Sequence, residues 1–128
     1  MSVTDEQYRN GLEQMALMGR ESTMLDQKIL SEDLYRISVG WLFGEIWRRP
    51  HLTLRERQLI TLAANLALSR PTGAHSHFNS ARHIGITHEE IMEVILPVGM
   101  YAGWPTIAHA AKQYGEVLNA EAKADTEI

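Results

Sequence analysis

Cysteine is missing altogether from the 128 residues, and its absence excludes disulfides, thiolate metal ligands and every redox mechanism that runs through a thiol. Long apolar runs are missing too: no stretch approaches the roughly 20 residues that a bilayer span requires. The opening residues MSVTDEQYRN are too polar for a secretory signal, so a soluble, cytoplasmic protein is expected. An excess of positive charge is also lacking. The net charge is −4, and the one basic cluster, Arg48, Arg49, Arg55 and Arg57, straddles a helix junction between acidic residues. That leaves no field for nucleic acid. Neither a GxGxxG nor a P-loop pattern occurs, and none of the three lysines, Lys28, Lys112 and Lys123, falls on an apolar stripe suited to a Schiff base. With no segment of two-residue period and no internal repeat, the expected class is all-α with short connections. The expectation is one domain over residues 1–128, burying roughly two thirds of its chain surface.

What is present is organised around residues 53–85, TLRERQLITLAANLALSRPTGAHSHFNSARHIG. Thr53 and Glu56 form a capping box, so a helix should begin at Leu54 and run until Pro71 interrupts it. Apolar residues surround nearly its whole circumference, which marks a central helix. Its polar remainder, Gln58, Thr61, Asn65 and Ser69, recurs every three or four residues and faces one way, lining something wet or hydrogen-bonded. A second helix from near Thr72 places Ala74, Phe78, Ala81 and Ile84 on one arc, with Gly85 as its stop. His77 falls inside that arc. His75 lies about 200° round the helix from it, at the edge of the same face, and His83 points to the far side. A histidine on a packed face has two readings, a core ring satisfied by a neighbouring carbonyl or a functional group.

Around this centre the remaining helices follow from their caps. Thr4 with Asp5 and Glu6 starts a helix to about Met18, with Tyr8, Leu12, Met15 and Met18 on one face. The segment 19–30 reads as a loop or a short helix. Ser31 begins a helix to Arg48 that Pro50 ends, with Leu34, Ile37 and Trp41 on one face, Val39, Leu42, Phe43 and Ile46 widening the apolar surface to most of the circumference, and Glu45 on the line of Leu34 and Trp41. Arg48 follows Glu45 at i+3. This is either a structural ion pair or an arginine held by Glu45 toward an anionic substrate. Thr87 and Glu90 form another capping box, heading a helix with Ile91, Val94, Ile95, Val98, Tyr101 and Ala102 buried and a kink at Pro97. Pro105 opens a last helix that buries Ile107, Ala110, Ala111, Tyr114, Val117 and Leu118, with His109 and Lys112 off its apolar face. The tail 121–128 looks frayed.

FGEIWRRPHL over 43–52, RERQLITLAANLAL over 55–68, His77 with its spacing to Ala81 and Gly85, and ITHEEIMEVILPVGMYAGWP over 86–105 together resemble the carboxymuconolactone decarboxylase family, which includes the alkylhydroperoxidase D-like proteins. The likeness covers about residues 34–118, leaving 1–30 as an N-terminal helix and connector. It implies an all-α protomer that assembles into trimers or hexamers, with active sites near helix ends and subunit contacts. In the peroxidase-like branch a CxxC pair stands seven and four residues before the histidine, where this chain has Arg70 and Gly73. In the decarboxylase branch a glutamate stands at the position of Gly73, so that acid is missing as well. His77 matches the histidine that the family uses for proton transfer, and Glu45, Trp47, Arg48, Tyr101 and Gly103 match retained positions.

The function expected on these grounds is cofactor-free acid/base chemistry on a small carbonyl or lactone substrate, by decarboxylation, isomerisation or lactone rearrangement. His77 is the expected proton carrier, since an imidazole in apolar surroundings favours its neutral form. His75 is the second catalytic candidate, in place of the absent carboxylate or to orient a bound anion. Arg48, Glu45, Trp47, Gln58, Asn65 and Tyr101 are the candidate substrate-binding residues, and backbone N–H groups of the first turn after Pro71 are available to an enolate or carboxylate oxygen. A different class of reading is a non-catalytic oligomeric binding or scaffold protein whose site has degenerated. A third is a metal held by His75 and His77, which needs an irregular turn because residues two apart on a helix diverge. His51, His83, His88 and His109 are taken as surface or interface residues. No cofactor, nucleic acid or membrane partner is expected, and the chain is expected to form a homo-oligomer.

Overall fold

A computed structural model describes residues 2–70 and 73–126. The chain is all-α: α1 is Asp5–Leu17, α2 Leu25–Leu30, α3 Glu32–Ile37, α4 Leu54–Ala67, α5 Ala74–His83, α6 His88–Ala102 and α7 Trp104–Thr126. Between α3 and α4 the backbone continues without a break into a π-helical segment, Ser38–Ile46. Two compact units divide the chain, Met1–Arg57 and Gln58–Ile128. Among the described residues no helix is long and apolar enough to cross a membrane.

In the first unit, Thr4 caps α1 through a reciprocal box with Gln7, and Ser31 caps α3 by accepting from the Leu34 N–H. The core consists of Met15, Met18, Met24, Tyr35, Val39, Phe43 and Trp47. Of the broad apolar surface expected for residues 31–48, Val39 and Phe43 are buried as expected, whereas Leu34, Ile37 and Trp41 are exposed, as is Leu12 of α1. The reason is the π-helical segment, where the Trp47 N–H donates to the Leu42 carbonyl at i−5. Bonding at i→i+5 places more residues in each turn, so the buried face recurs every four or so residues, at 35, 39, 43 and 47. Two glycines let α1 lie directly on that segment. A Cβ on Gly11 would fall 2.0 Å from the Val39 carbonyl oxygen, and one on Gly44 2.3 Å from that of Gln7.

The second unit packs Leu62 and Leu66 of α4, Ala74, Phe78 and Ala81 of α5, Ile91 and Ile95 of α6, and Ala110, Tyr114 and Val117 of α7, with Ile86 between α5 and α6. The Thr53–Glu56 box heads α4, but the helix ends at Ala67, with Ser69 at φ 50°. Burial on α4 is confined to Gln58, Leu62 and Leu66, and Ile60 and Leu68 are exposed. Its apolar circumference therefore does not make it a buried helix. Thr87 and Glu90 cap α6 as expected. That helix runs through Pro97 and buries Ile91, Ile95 and Gly99, whereas Tyr101 is 95% exposed. α7 buries Thr106 and Gln113 where Ala111, expected inside, is exposed. It continues past Glu121, the expected frayed tail, to Thr126. Arg82 grips both Glu121 carboxylate oxygens at 3.1 Å.

Candidate functional site

The expected site residues divide between the two units. In the first, Glu45 and Arg48 do not pair with each other. The Glu45 carboxylate accepts from Gln7 Nε2 at 3.1 Å, and the Arg48 guanidinium turns to Glu13 at 3.7 Å and the Asn10 carbonyl at 3.4 Å. The physical reason is the same change of helical pitch: in a π-helical segment the i+3 residue no longer lies above its partner. Trp47 is 6% exposed and belongs to the core, so its indole packs rather than lines a site.

In the second unit the polar side chains converge where α5 begins. Pro71 and Thr72, the expected break and restart, lie outside the described residues. Gly73 precedes α5 at φ 106°, in a region that favours glycine because a Cβ there meets the backbone. No side chain caps the helix at that point. The work is done from α7, where the buried Gln113 accepts the Ala74 N–H at 3.1 Å and donates to the Arg70 carbonyl at 3.4 Å. One amide thus ties both sides of the connection. It also occupies the first N–H of the helix, which the sequence had left open for a substrate oxygen. Ser69 Oγ and Thr106 Oγ1 share a hydrogen bond of 2.6 Å, tying the end of the α4 polar stripe to the same helix.

His75, half-buried, points its Nε2 at Glu116 Oε2, 2.5 Å away. The carboxylate beside the α5 histidines therefore comes from α7, not from position 73. His77, also half-buried, holds its place by its main chain, whose carbonyl accepts from Gln58 Nε2 at 3.4 Å. Gln58 is fully buried, so the polar stripe of α4 is hydrogen-bonded at both ends, to His77 and to Thr106. Asn65 is half-buried, its Oδ1 3.9 Å from where a Gly73 Cβ would stand. Tyr101 borders a separate apolar hollow with Ala63, Ala67, Pro97 and Val98. His88 is exposed, as expected, and bonds Tyr114 Oη at 2.8 Å through Nδ1 while stacking on its ring.

Sequence reasoning missed Gln113 and Glu116. A signal was present: Thr106, His109, Gln113 and Glu116 recur at three- and four-residue spacing on α7, a polar stripe like that of α4. With His75 and Lys112, three of these surround a cavity of about 270 Å³. Among the described residues no group of three His, Asp or Glu side chains is disposed to hold a metal ion, and His75 Nε2 is already directed at Glu116.

The model of the carboxymuconolactone decarboxylase family matches residues 32–114. A 4-carboxymuconolactone decarboxylase from Acinetobacter baylyi is 32% identical over 121 residues, which cover 91% of this chain and 90% of that protein. A nitrosuccinic acid decarboxylase from Metarhizium robertsii is 31% identical over 70 residues, covering 55% of this chain and 49% of that one.

Proposed function

The chain belongs to the carboxymuconolactone decarboxylase family, and from that membership we propose that it is a cofactor-free decarboxylase of small activated carboxylic acids, with His77 as proton carrier. Both relatives are named for loss of CO2. In each of those acids a neighbouring electron-withdrawing group, a lactone or a nitro group, can hold the electron pair left behind. The bond from carbon to the carboxylate breaks, CO2 departs, and the pair stays on carbon and spreads to the neighbouring oxygen. His77, having taken up a proton from water, then gives it to that carbon and returns to its neutral form. The same shuttle serves isomerisation or lactone rearrangement of such substrates.

The observation that carries this reading is the survival of a half-buried His77 on a turn pinned by Gln58, in a chain with no thiol. Arg70 and Gly73 supply neither sulfur nor carboxyl at the positions that the resemblance assigns to them. Thiol peroxidase chemistry is therefore outside the proposal. Met100, Tyr101 and Trp104 are strongly exposed and support assembly with further copies of the chain, which light scattering of the purified protein measures.

The test is CO2 release from 4-carboxymuconolactone and from nitrosuccinate. We expect release from at least one, falling by about 10²–10⁴ in His77→Ala with the helical circular dichroism unchanged. Undiminished release in that variant removes His77 from the chemistry. Saturable binding of both acids without release favours a non-catalytic binding protein, the reading to which the missing acid at Gly73 lends weight.

A further inference from the structure

The cavity of about 270 Å³ between the start of α5 and the middle of α7 is lined by His75, His109, Lys112, Gln113 and Glu116. Its volume suits a small organic acid and is too little for a coenzyme. Three of the five side chains already have partners. Gln113 serves the main chain at Arg70 and Ala74, and Glu116 serves His75. Lys112 stands four residues before Glu116 on the same helix, in the order that favours an ion pair less. Among the described residues it makes no ion pair, because Glu116 turns to the imidazole instead. The cleft thus offers an uncommitted ammonium with three donors and the imidazole of His109, against one carboxylate already engaged.

The His75–Glu116 bond also sets which ring nitrogen is available. An ionised carboxylate only accepts hydrogen bonds, so Nε2 of His75 must carry the hydrogen. Nδ1 is then the ring nitrogen without a hydrogen, the arrangement by which a carboxylate fixes tautomer and ring orientation.

We propose that this cleft is a carboxylate-binding subsite, in which Lys112 and His109 hold one carboxylate of a di- or tricarboxylic acid, and that Glu116 is a positioning residue acting through His75. The binding half of this proposal stands on the cleft alone. The role of Glu116 in turnover rests on the decarboxylase reading above.

Nuclear magnetic resonance of the full-length, isotope-labelled chain tests both halves without turnover, using succinate as the probe. Saturable shifts are expected at His75, His109, Lys112 and Gln113, with the dissociation constant rising about tenfold or more in Lys112→Met. Long-range imidazole spectra should show His75 protonated at Nε2 in the wild type and mixed between tautomers in Glu116→Gln. Succinate shifts that are absent, lie elsewhere or ignore Lys112→Met overturn the subsite. A His75 tautomer indifferent to Glu116→Gln overturns the positioning role. With either decarboxylase substrate, Lys112→Met should raise KM, whereas Glu116→Gln should lower kcat at nearly constant KM, with partial rescue by Glu116→Asp. Loss of CO2 release alongside intact succinate binding sinks the decarboxylase reading and spares the subsite. Release without succinate binding does the reverse.

Discussion

The two units use their polar side chains in opposite ways. In Met1–Arg57 the charged groups that looked functional are tied off by local partners, Glu45 by Gln7 and Arg48 by Glu13 and Asn10. Close approach does the organising there, with Gly11 and Gly44 admitting carbonyl oxygens where a Cβ would stand. In Gln58–Ile128 the organising contacts are polar. Gln113, Thr106 and Gln58 fix main chain or hydroxyl groups, and the side chains that remain, Lys112 and His109, face a cleft. A polar residue on a helix is therefore a poor guide to function until its partners are known. What separates the units is whether the polar contacts engage the candidate side chains themselves, as at Glu45 and Arg48, or hold main-chain groups and leave neighbouring side chains available, as Gln113 does beside Lys112 and His109.

The sharpest way to break this contrast is to disturb each unit by its own means. Gly11→Ala sets a methyl 2.0 Å from the Val39 oxygen and 2.7 Å from its carbon. Because the obstacle is backbone, which cannot swing aside as a long side chain would, the cost should reach about 3 kcal/mol, the upper part of the range for overpacking. Urea denaturation measures it, and a loss under about 0.5 kcal/mol, the scatter of neutral surface changes, would show that the units do not differ in this respect. In the second unit Gln113→Ala leaves the Ala74 N–H buried without its acceptor, for about 2 kcal/mol. It should also slacken the connection 70–74, so amide exchange at Ala74 and His75 should quicken more than elsewhere in α5. A uniform change across α5 would mean that Gln113 stabilises the helix as a whole and does not clamp its start. Gly73→Ala, at φ 106°, should cost about 1 kcal/mol from the left-handed conformation alone, since its Cβ would have Asn65 Oδ1 no nearer than 3.9 Å.

Legibility in the sequence followed the range of the interactions. The capping boxes at Thr53 and Glu56 and at Thr87 and Glu90 are contacts across three residues, and the structure contains both. The all-α class likewise follows from local periodicity, and the family from the resemblance of its motifs. The face of residues 31–48 is legible only in part: Val39 and Phe43 are buried, but Leu34, Ile37 and Trp41 stand outside because a 3.6-residue period does not describe a π-helical backbone, which no residue in that stretch announces. Tyr101 continues the apolar stripe of α6 in register but stands outside, because the helix runs out at Gly103. The His75–Glu116 pair joins residues 41 apart in the chain. Each lies on a helix whose own pattern is complete without the other, so only the packing of α5 on α7 reveals it.

The smallest effect comes from the ring stack that holds those two helices together. Tyr114 lies between Phe78, with centroids 4.7 Å apart, and His88, at 5.5 Å, and shares a 2.8 Å hydrogen bond with His88 Nδ1. Tyr114→Phe keeps the stack and removes that bond, so near neutral pH the loss should be about 1 kcal/mol. Burial pushes the Tyr114 phenol above its usual value, Arg82 opposing and Glu121 and Glu89 adding to it. A raised value in the folded state means that folding favours the neutral phenol. Its contribution is complete below the unfolded value of about 10 and fades as pH rises through the folded value. The stability gap between wild type and Tyr114→Phe should accordingly narrow above pH about 10. A gap that stays constant into that range would mean that the phenol ionises as readily in the fold as in the unfolded chain. The hydroxyl would then be open to water, and the α5–α7 contact beneath the cleft would be looser than its ring geometry indicates.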